Sequence, residues 1–452
     1  MGIFLINTKP FFMKQMATGL LSLSLVLGLH AQKNIQFEEY TLENGMHVIL
    51  HEDKSTPIVA VTVLYHVGSK NEVAGRTGFA HFFEHLLFEG SEHIGRGQYM
   101  EIVQRNGGAL NANTSQDRTF YYEIMPSNKL ELGLWLESER LLHAKINNEG
   151  LETQREVVKE EKRLRIDNQP YMSFSEVMFK SAFPGTIYEW VPIGSMEDLN
   201  AAKLEEFIAF YKQFYVPNNA TLSIAGDIDI AQTKEFVVKY FASIPRGKEV
   251  VQPEFVMPAL PENGVRKTVY DNIQLPGLFM GFRTPGQTEE DAYAIRMLSQ
   301  ILSQGESSRL YKKMVDRDQS AVAVFSFPYQ LEKSGILITL ALANQGKTLG
   351  ELEASINEEI ERLKNELIGE REFQKLQNQL ESDFISSNSS MAGIAESLAD
   401  YHVYYGDANL INTEIERYRK ITPADLQRVA RKYLNADNVV ILEYRPKSEE
   451  GL

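Results

Sequence analysis

Apolar residues along this chain keep two periods, and the switch between them recurs at a fixed offset of 219 residues. Phe207, Phe210, Phe214 and Asn219 fall on Leu426, Val429, Tyr433 and Asn438 at that offset. Each series spaces its apolar side chains along one face of a helix. A short turn then leads into a β-prone run, Ala220 to Ala225 in one copy and Val439 to Leu442 in the other. Pro57, ahead of the run Ile58 to Leu64, falls likewise on Pro276, ahead of Leu278 to Phe282. The repeated order of signals predicts two similar α+β domains. Pro245, Pro253, Pro258 and Pro261, with Gly247 and Gly264, punctuate the chain between them and place a linker at 246–266. The domains are expected at 32–245 and 267–452, a division that 452 residues call for, since single cores stop growing below that size.

A third apolar stretch, Ala17 to Leu29, follows Lys9 and Lys14 and ends in the small residue Ala31 before Gln32. This pattern reads as a secretory signal peptide over residues 1–31. The run is shorter than the ~20 residues that cross a bilayer, which makes a permanent anchor the weaker alternative. No later segment is long and apolar enough to span, so no integral membrane span is expected once the signal is removed. The absence of cysteine excludes disulfides and thiolate metal ligands. A soluble exported protein, periplasmic or extracellular, is expected. The formal charge of -15 argues against a nucleic-acid partner, because phosphate binding needs a positive surface.

Histidine is scarce, at nine residues, yet His81-Phe82-Phe83-Glu84-His85 sets two imidazoles one helical turn apart. Side chains at i and i+4 share a helix face, so both rings reach one metal ion, with Glu84 beside them where it can hold a water. Phe82, Phe83, Leu86, Leu87 and Phe88 surround the motif with apolar groups, an unfavourable setting for idle polar side chains. The glutamate before the second histidine is the inverted form of the zinc-peptidase signature. A catalytic zinc usually has three protein ligands. In the charged segment Glu152 to Arg165, Val157, Glu161 and Leu164 recur at i, i+4 and i+7, with Val158 alongside. Glu156, Glu160, Arg163 and Asp167 mark the opposite stripe. Glu161 is therefore taken as the inward carboxylate and third ligand, with Glu160 as the other candidate.

These residues resemble the pitrilysin and insulinase family of zinc peptidases, in the half-length form that includes the mitochondrial processing peptidases. Seventy-five residues separate His85 from Glu161, as in that family, and Glu161 lies in the similar segment Arg155-Glu156-Val157-Val158-Lys159-Glu160-Glu161. Also similar are Gly107-Gly108-Ala109-Leu110-Asn111-Ala112 with Thr114, Val191-Pro192-Ile193-Gly194, and Ser307-Ser308-Arg309-Leu310. The resemblance implies two domains, each an antiparallel β-sheet packed with helices, facing one another as a clamshell. It also implies substrate contacts from Asn111 and Ala112 and a position near the metal for Asp117. Gln154 stands where many relatives carry a further glutamate, and a neutral amide there is expected to tune the site. Val315 and Val322 stand where the family's second domain usually supplies an arginine and a tyrosine to the substrate. Some relatives are heterodimers in which one subunit brings the metal and the other brings that pair, so a homologous partner subunit, or a second copy, is expected.

The resulting expectation is a zinc endopeptidase with one Zn2+ per chain held by His81, His85 and Glu161. Glu84 is its general base, and unfolded peptide its substrate. Glu84 as a ligand is the alternative at that position. Only the first domain can hold zinc this way, since no histidine lies between Pro276 and Arg309. The competing functions are a noncatalytic scaffold of the same fold and a peptide-binding chaperone that hydrolyses slowly. The remaining histidines, among them His47, His66, His93 and His402, are expected to be ordinary surface or core residues.

Overall fold

Two sheets carry the repeated pattern in a computed structural model that describes residues 34–449; the expected signal peptide lies outside the described residues. The first sheet holds β1 (Glu38–Thr41), β2 (His47–Glu52), β3 (Ile58–Tyr65), β4 (Ala109–Thr114), β5 (Thr119–Pro126) and β6 (Ala220–Gly226), in the order β1-β2-β6-β3-β5-β4. The second holds β7 (Val265–Asp271), β8 (Gly277–Pro285), β9 (Ala321–Gln330), β10 (Ser334–Ala343) and β11 (Val439–Pro446), in the order β7-β11-β8-β10-β9. Apart from the extra β1, the two orders are the same permutation. Pairing is antiparallel except between β2 and β6 and between β7 and β11, which run parallel.

The 219-residue offset survives in detail. The Leu204–Phe214 and Pro423–Tyr433 helices, and the starts of β6 and β11, keep that spacing. So does the residue that closes each helix. Asn219 Nδ2 donates to Phe214 O and Asn438 Nδ2 to Tyr433 O, both at 2.9 Å. Each amide thereby satisfies a carbonyl that the helix end leaves without a partner.

β6 and β8 are buried along their whole length, which explains why both read as unbroken apolar runs. The cover on one face comes from the other half of the chain. The Met391–Asp400 helix lays Met391, Ile394, Ala395 and Leu398 on Ile49, Ala60 and Ala225 of the first sheet. The Phe174–Ala182 helix, 217 residues earlier by its start, packs on the second sheet, where Phe174 stacks on Phe279 at 5.0 Å. Gly281 permits this approach, because a Cβ there would meet Met178 Sδ at 2.5 Å. Equivalent helices are thus exchanged between the halves, and the chain from Ile35 onward forms one unit. The segment between Phe241 and Val265, which includes most of 246–266, contains no helix or strand.

Because Leu398 is fully buried on a sheet belonging to the other half, Leu398→Ala is expected to cost about 2–5 kcal/mol within a single unfolding transition. Urea unfolding followed by tryptophan fluorescence and circular dichroism measures this. Separate transitions for the two halves would contradict the interlock.

Candidate metal centre

The histidine motif lies on the Phe79–Leu86 helix, whose buried face is Phe79, Phe82, Phe83 and Leu86. Phe79 and Phe82 pack on Phe207 with ring centroids at 4.3 and 4.6 Å. Gly78 enters the helix in the left-handed region, φ 93°, and has no side chain to cap it. Glu72 does so instead, accepting from Gly78 N at 2.8 Å and Ala80 N at 2.9 Å. Burial pushes the Glu72 carboxyl up to about 8 against the pull of those amides. Glu72 was not singled out in the sequence; the available signal was a helix start with no capping side chain of its own.

The second element is the Asn148–Lys162 helix, capped by Asn147 Oδ1, which accepts from Gly150 N at 2.9 Å. Its buried stripe is Leu151, Arg155, Val158 and Lys162. The expected stripe through Val157 and Leu164 is therefore wrong: those residues are 43% and 56% exposed. Arg155 and Lys162 bury their alkyl stems while their heads find partners, Arg155 Nη2 on Ala202 O at 2.9 Å and Lys162 on Glu176. From Arg163 the helix widens into a π turn, which carries Leu164 off the packed face. Glu161 sits at the margin of the stripe, turned toward the histidines. Glu160 points away and pairs with Arg163 at 3.0 Å.

His85 Nε2 and His81 Nε2 lie 3.1 and 3.6 Å from Glu161 Oε2. The rings stand 4.9 Å apart at 75°. One ligand atom from each of the three residues falls within 4.8 Å of the others. Arg165 holds Glu161 Oε1 at 2.9 Å, whereas the buried Oε2 has hydrogen-bonding distance to His85 without hydrogen-bonding alignment. An unsatisfied buried acceptor costs about 1–3 kcal/mol, and a cation at the convergence point would remove that cost. Burial, reinforced by the charge of His85, lowers His81 to about 4, which keeps its lone pair free at neutral pH. The His85 contact holds Glu161 below the usual carboxylate range. The donor set of two imidazoles and one carboxylate fits Zn2+.

Glu84 projects beside this trio and accepts from Thr114 Oγ1 at 2.6 Å. Burial raises its pKa above the usual glutamate value, while the Thr114 bond opposes the rise. Thr114 ends β4, an edge strand that among the described residues pairs only with β5. On that strand Asn111 is exposed and Ala112 buried, and Ala112 N donates to Asn111 Oδ1 at 3.0 Å.

Two further residues take other partners. Gln154 donates to Glu89, and among the described residues no hydrogen bond joins it to the trio. Among the described residues Asp117 has no hydrogen bond to His81 or His85. It accepts from Tyr188 OH and Glu332 N, both at 2.8 Å, and pairs with buried Lys70 at 3.3 Å. Glu332 in turn meets His66 at 2.7 Å, so Asp117 belongs to a polar lock between the halves.

Comparison with known proteins agrees with this fold and motif. Residues 47–183 match the family described as Insulinase (Peptidase family M16), and residues 201–380 match its Peptidase M16 inactive domain. The chain is 31% identical over 431 residues to the zinc protease PqqE of Helicobacter pylori, covering 94% of this chain and 97% of that protein. It is 25% identical to the uncharacterized zinc protease YmxG of Bacillus subtilis, covering 78% and 86%. A crystal structure of a protease from Helicobacter pylori superposes with TM-score 0.86 at 30% identity over 91% of this chain and 99% of that one. The periplasmic protease PqqL of Escherichia coli shares the fold, with TM-score 0.74 at 18% identity over 92% of this chain and 48% of its own. The chain belongs to the insulinase family of peptidases, family M16.

Glu72 has a folded pKa of about 8 against 4.5 ordinarily, so its proton is held by the folded chain more tightly than by the unfolded one. Its contribution to stability is full below about pH 4.5 and is lost as pH rises toward about 8. Glu72→Gln is expected to flatten the decline in urea-unfolding free energy across that interval. An unchanged slope would show that the carboxyl is ionised throughout.

Proposed function

We propose that this chain is a zinc-dependent endopeptidase acting on extended peptide segments, with His81, His85 and Glu161 as the ligands of one zinc and Glu84 as general base. The convergence of His81 Nε2 and His85 Nε2 on Glu161 Oε2, an acceptor otherwise without a hydrogen bond, carries the reading. Zinc at this point supplies Lewis-acid polarisation of a scissile carbonyl and makes water a better nucleophile near neutral pH. Glu84 takes the proton released in the attack and returns it to the leaving amine. Its burial suits this work, because a carboxylate that binds protons more readily than usual transfers them better near neutrality. Thr114 fixes one oxygen of Glu84 and so sets the orientation of the carboxylate.

The edge strand β4 suggests how substrate is held. Ala112 N points to Asn111 Oδ1 rather than to β5, so it lies on the open side of the sheet. A peptide added as a further strand would exchange that local bond for its own carbonyl, with Asn111 free to turn onto the substrate backbone. Such addition selects extended over folded chains. Neither Gln154 nor Asp117 has a direct part in this reading.

At the two positions where the family usually supplies an arginine and a tyrosine, Val315 packs against the second core and Val322 stands 46% exposed on β9. Neither can donate a hydrogen bond. We therefore propose a homologous partner subunit that supplies such donors. The signal-like stretch 1–31 supports export to the periplasm or beyond.

Glu84→Gln is expected to retain its zinc, read by metal analysis, and to cleave a quenched unfolded peptide at less than about a thousandth of the parent rate. Loss of the metal instead would make Glu84 a ligand, and a zinc-loaded parent chain without chelator-sensitive cleavage would leave the scaffold and chaperone readings. A homologous subunit bearing the arginine and tyrosine is expected to raise kcat/KM roughly ten-fold or more, the worth of one charged hydrogen bond. A rate that the subunit leaves unchanged contradicts the partner requirement.

A further inference from the structure

Outside the motif, Glu139 and His143 lie one turn apart at the end of the Leu130–Leu142 helix, and the loop after the histidine motif brings His93 and Glu92 onto them. His93 Nδ1 stands between both oxygens of Glu139, at 2.9 and 3.1 Å. His143 Nδ1 lies 3.1 Å from Glu92 Oε2, and the two rings meet edge to face at 5.2 Å. One ligand atom each from His93, Glu139 and His143 falls within 4.8 Å of the others.

Glu139 is 4% exposed, and among the described residues no lysine or arginine pairs with it. Its polar partners are the His93 ring and Ser91, whose hydroxyl donates to Oε2 at 2.5 Å. A buried carboxylate with no permanent cation is costly unless one is recruited. The backbone around it is pinned before any ligand arrives. Ser91 pairs with Ala144 in an isolated bridge, Glu92 N donates to His143 O at 2.9 Å, and Lys145 N to Gly90 O at 3.1 Å. A site assembled on a rigid frame loses little entropy when it closes.

We infer that His93, Glu139 and His143, with Glu92 as the fourth ligand, form a second divalent-cation site of the Zn2+ class. Two imidazoles and two carboxylates neutralise a dication and complete a four-ligand shell, which leaves no position for water, so the site is structural. The expectation that His93 is an ordinary surface residue gives way here. The bound ion ties the loop to the helix end. That loop also carries Glu89, which receives Gln154 from the Asn148–Lys162 helix, so the tie braces the element that bears Glu161. The inference stands independently of the proposed activity, because its residues are separate from the His81 trio.

The test is the metal content of the tag-free full chain by mass spectrometry after exhaustive dialysis, beside His93→Ala, His143→Gln and His81→Ala/His85→Ala. The single variants are expected to lose one equivalent of zinc relative to the parent, keep peptide cleavage within about two-fold, and show a Tm about 5 °C lower. The double variant at 81 and 85 is expected to lose the other equivalent and keep this one. His93 is 56% exposed, so its removal opens no core and the comparison does not turn on misfolding. If His93→Ala and the parent hold equal zinc, the site is overturned, whatever the count at the His81 trio.

Discussion

Withdrawing two imidazoles and a carboxylate from water is the constraint on which this structure turns. The Phe79–Leu86 helix buries its phenylalanines against Phe207 on one side and must therefore present His81, Glu84 and His85 together on the other. That placement needs the helix start held, and the start lacks a capping side chain, so a buried carboxyl group six residues earlier performs the task. The opposing helix brings Glu161 to the same point from the margin of its packed face, along which Arg155 and Lys162 lie. Every one of these groups is expensive alone; converged, they make a strong claim on a dication.

The duplicated frame shows the same constraint from the other side. At the 219-residue offset His81 corresponds to Gln300, His85 to Gln304 and Glu161 to Leu380. Leu380 is buried in the second core, and Gln300 donates to Asp383 at 3.0 Å. The second copy has exchanged a polar centre for packing and an ordinary hydrogen bond, while keeping the strand order and the helix-closing asparagine. It nonetheless remains necessary, because its Met391–Asp400 helix is the cover of the first sheet.

Much of this was legible in the residue pattern, and for identifiable reasons. Helical spacing fixes the relation of His81 to His85, and the repeat of Asn219 at Asn438 exposes the duplication without any coordinates. Glu161 was found by a faulty route: apolar Val157 and Leu164 suggested the inward stripe, whereas the real stripe contains an arginine and a lysine whose burial depends on distant carbonyl and carboxylate partners. Long-range partners also hid Glu72, the bond from Thr114 to Glu84 and the place of Asp117, which depends on a lysine and a glutamate 262 residues apart. The exchange of helices leaves no periodic trace, since an apolar helix face looks alike whichever sheet it covers.

The central claim is that His81, His85 and Glu161 share one dication. Diffraction from crystals of the parent chain at the zinc absorption edge tests it most directly. The account predicts an anomalous peak at about 2.0–2.2 Å from His81 Nε2, His85 Nε2 and a Glu161 oxygen. A well-ordered trio with no such peak in zinc-saturated crystals would contradict it.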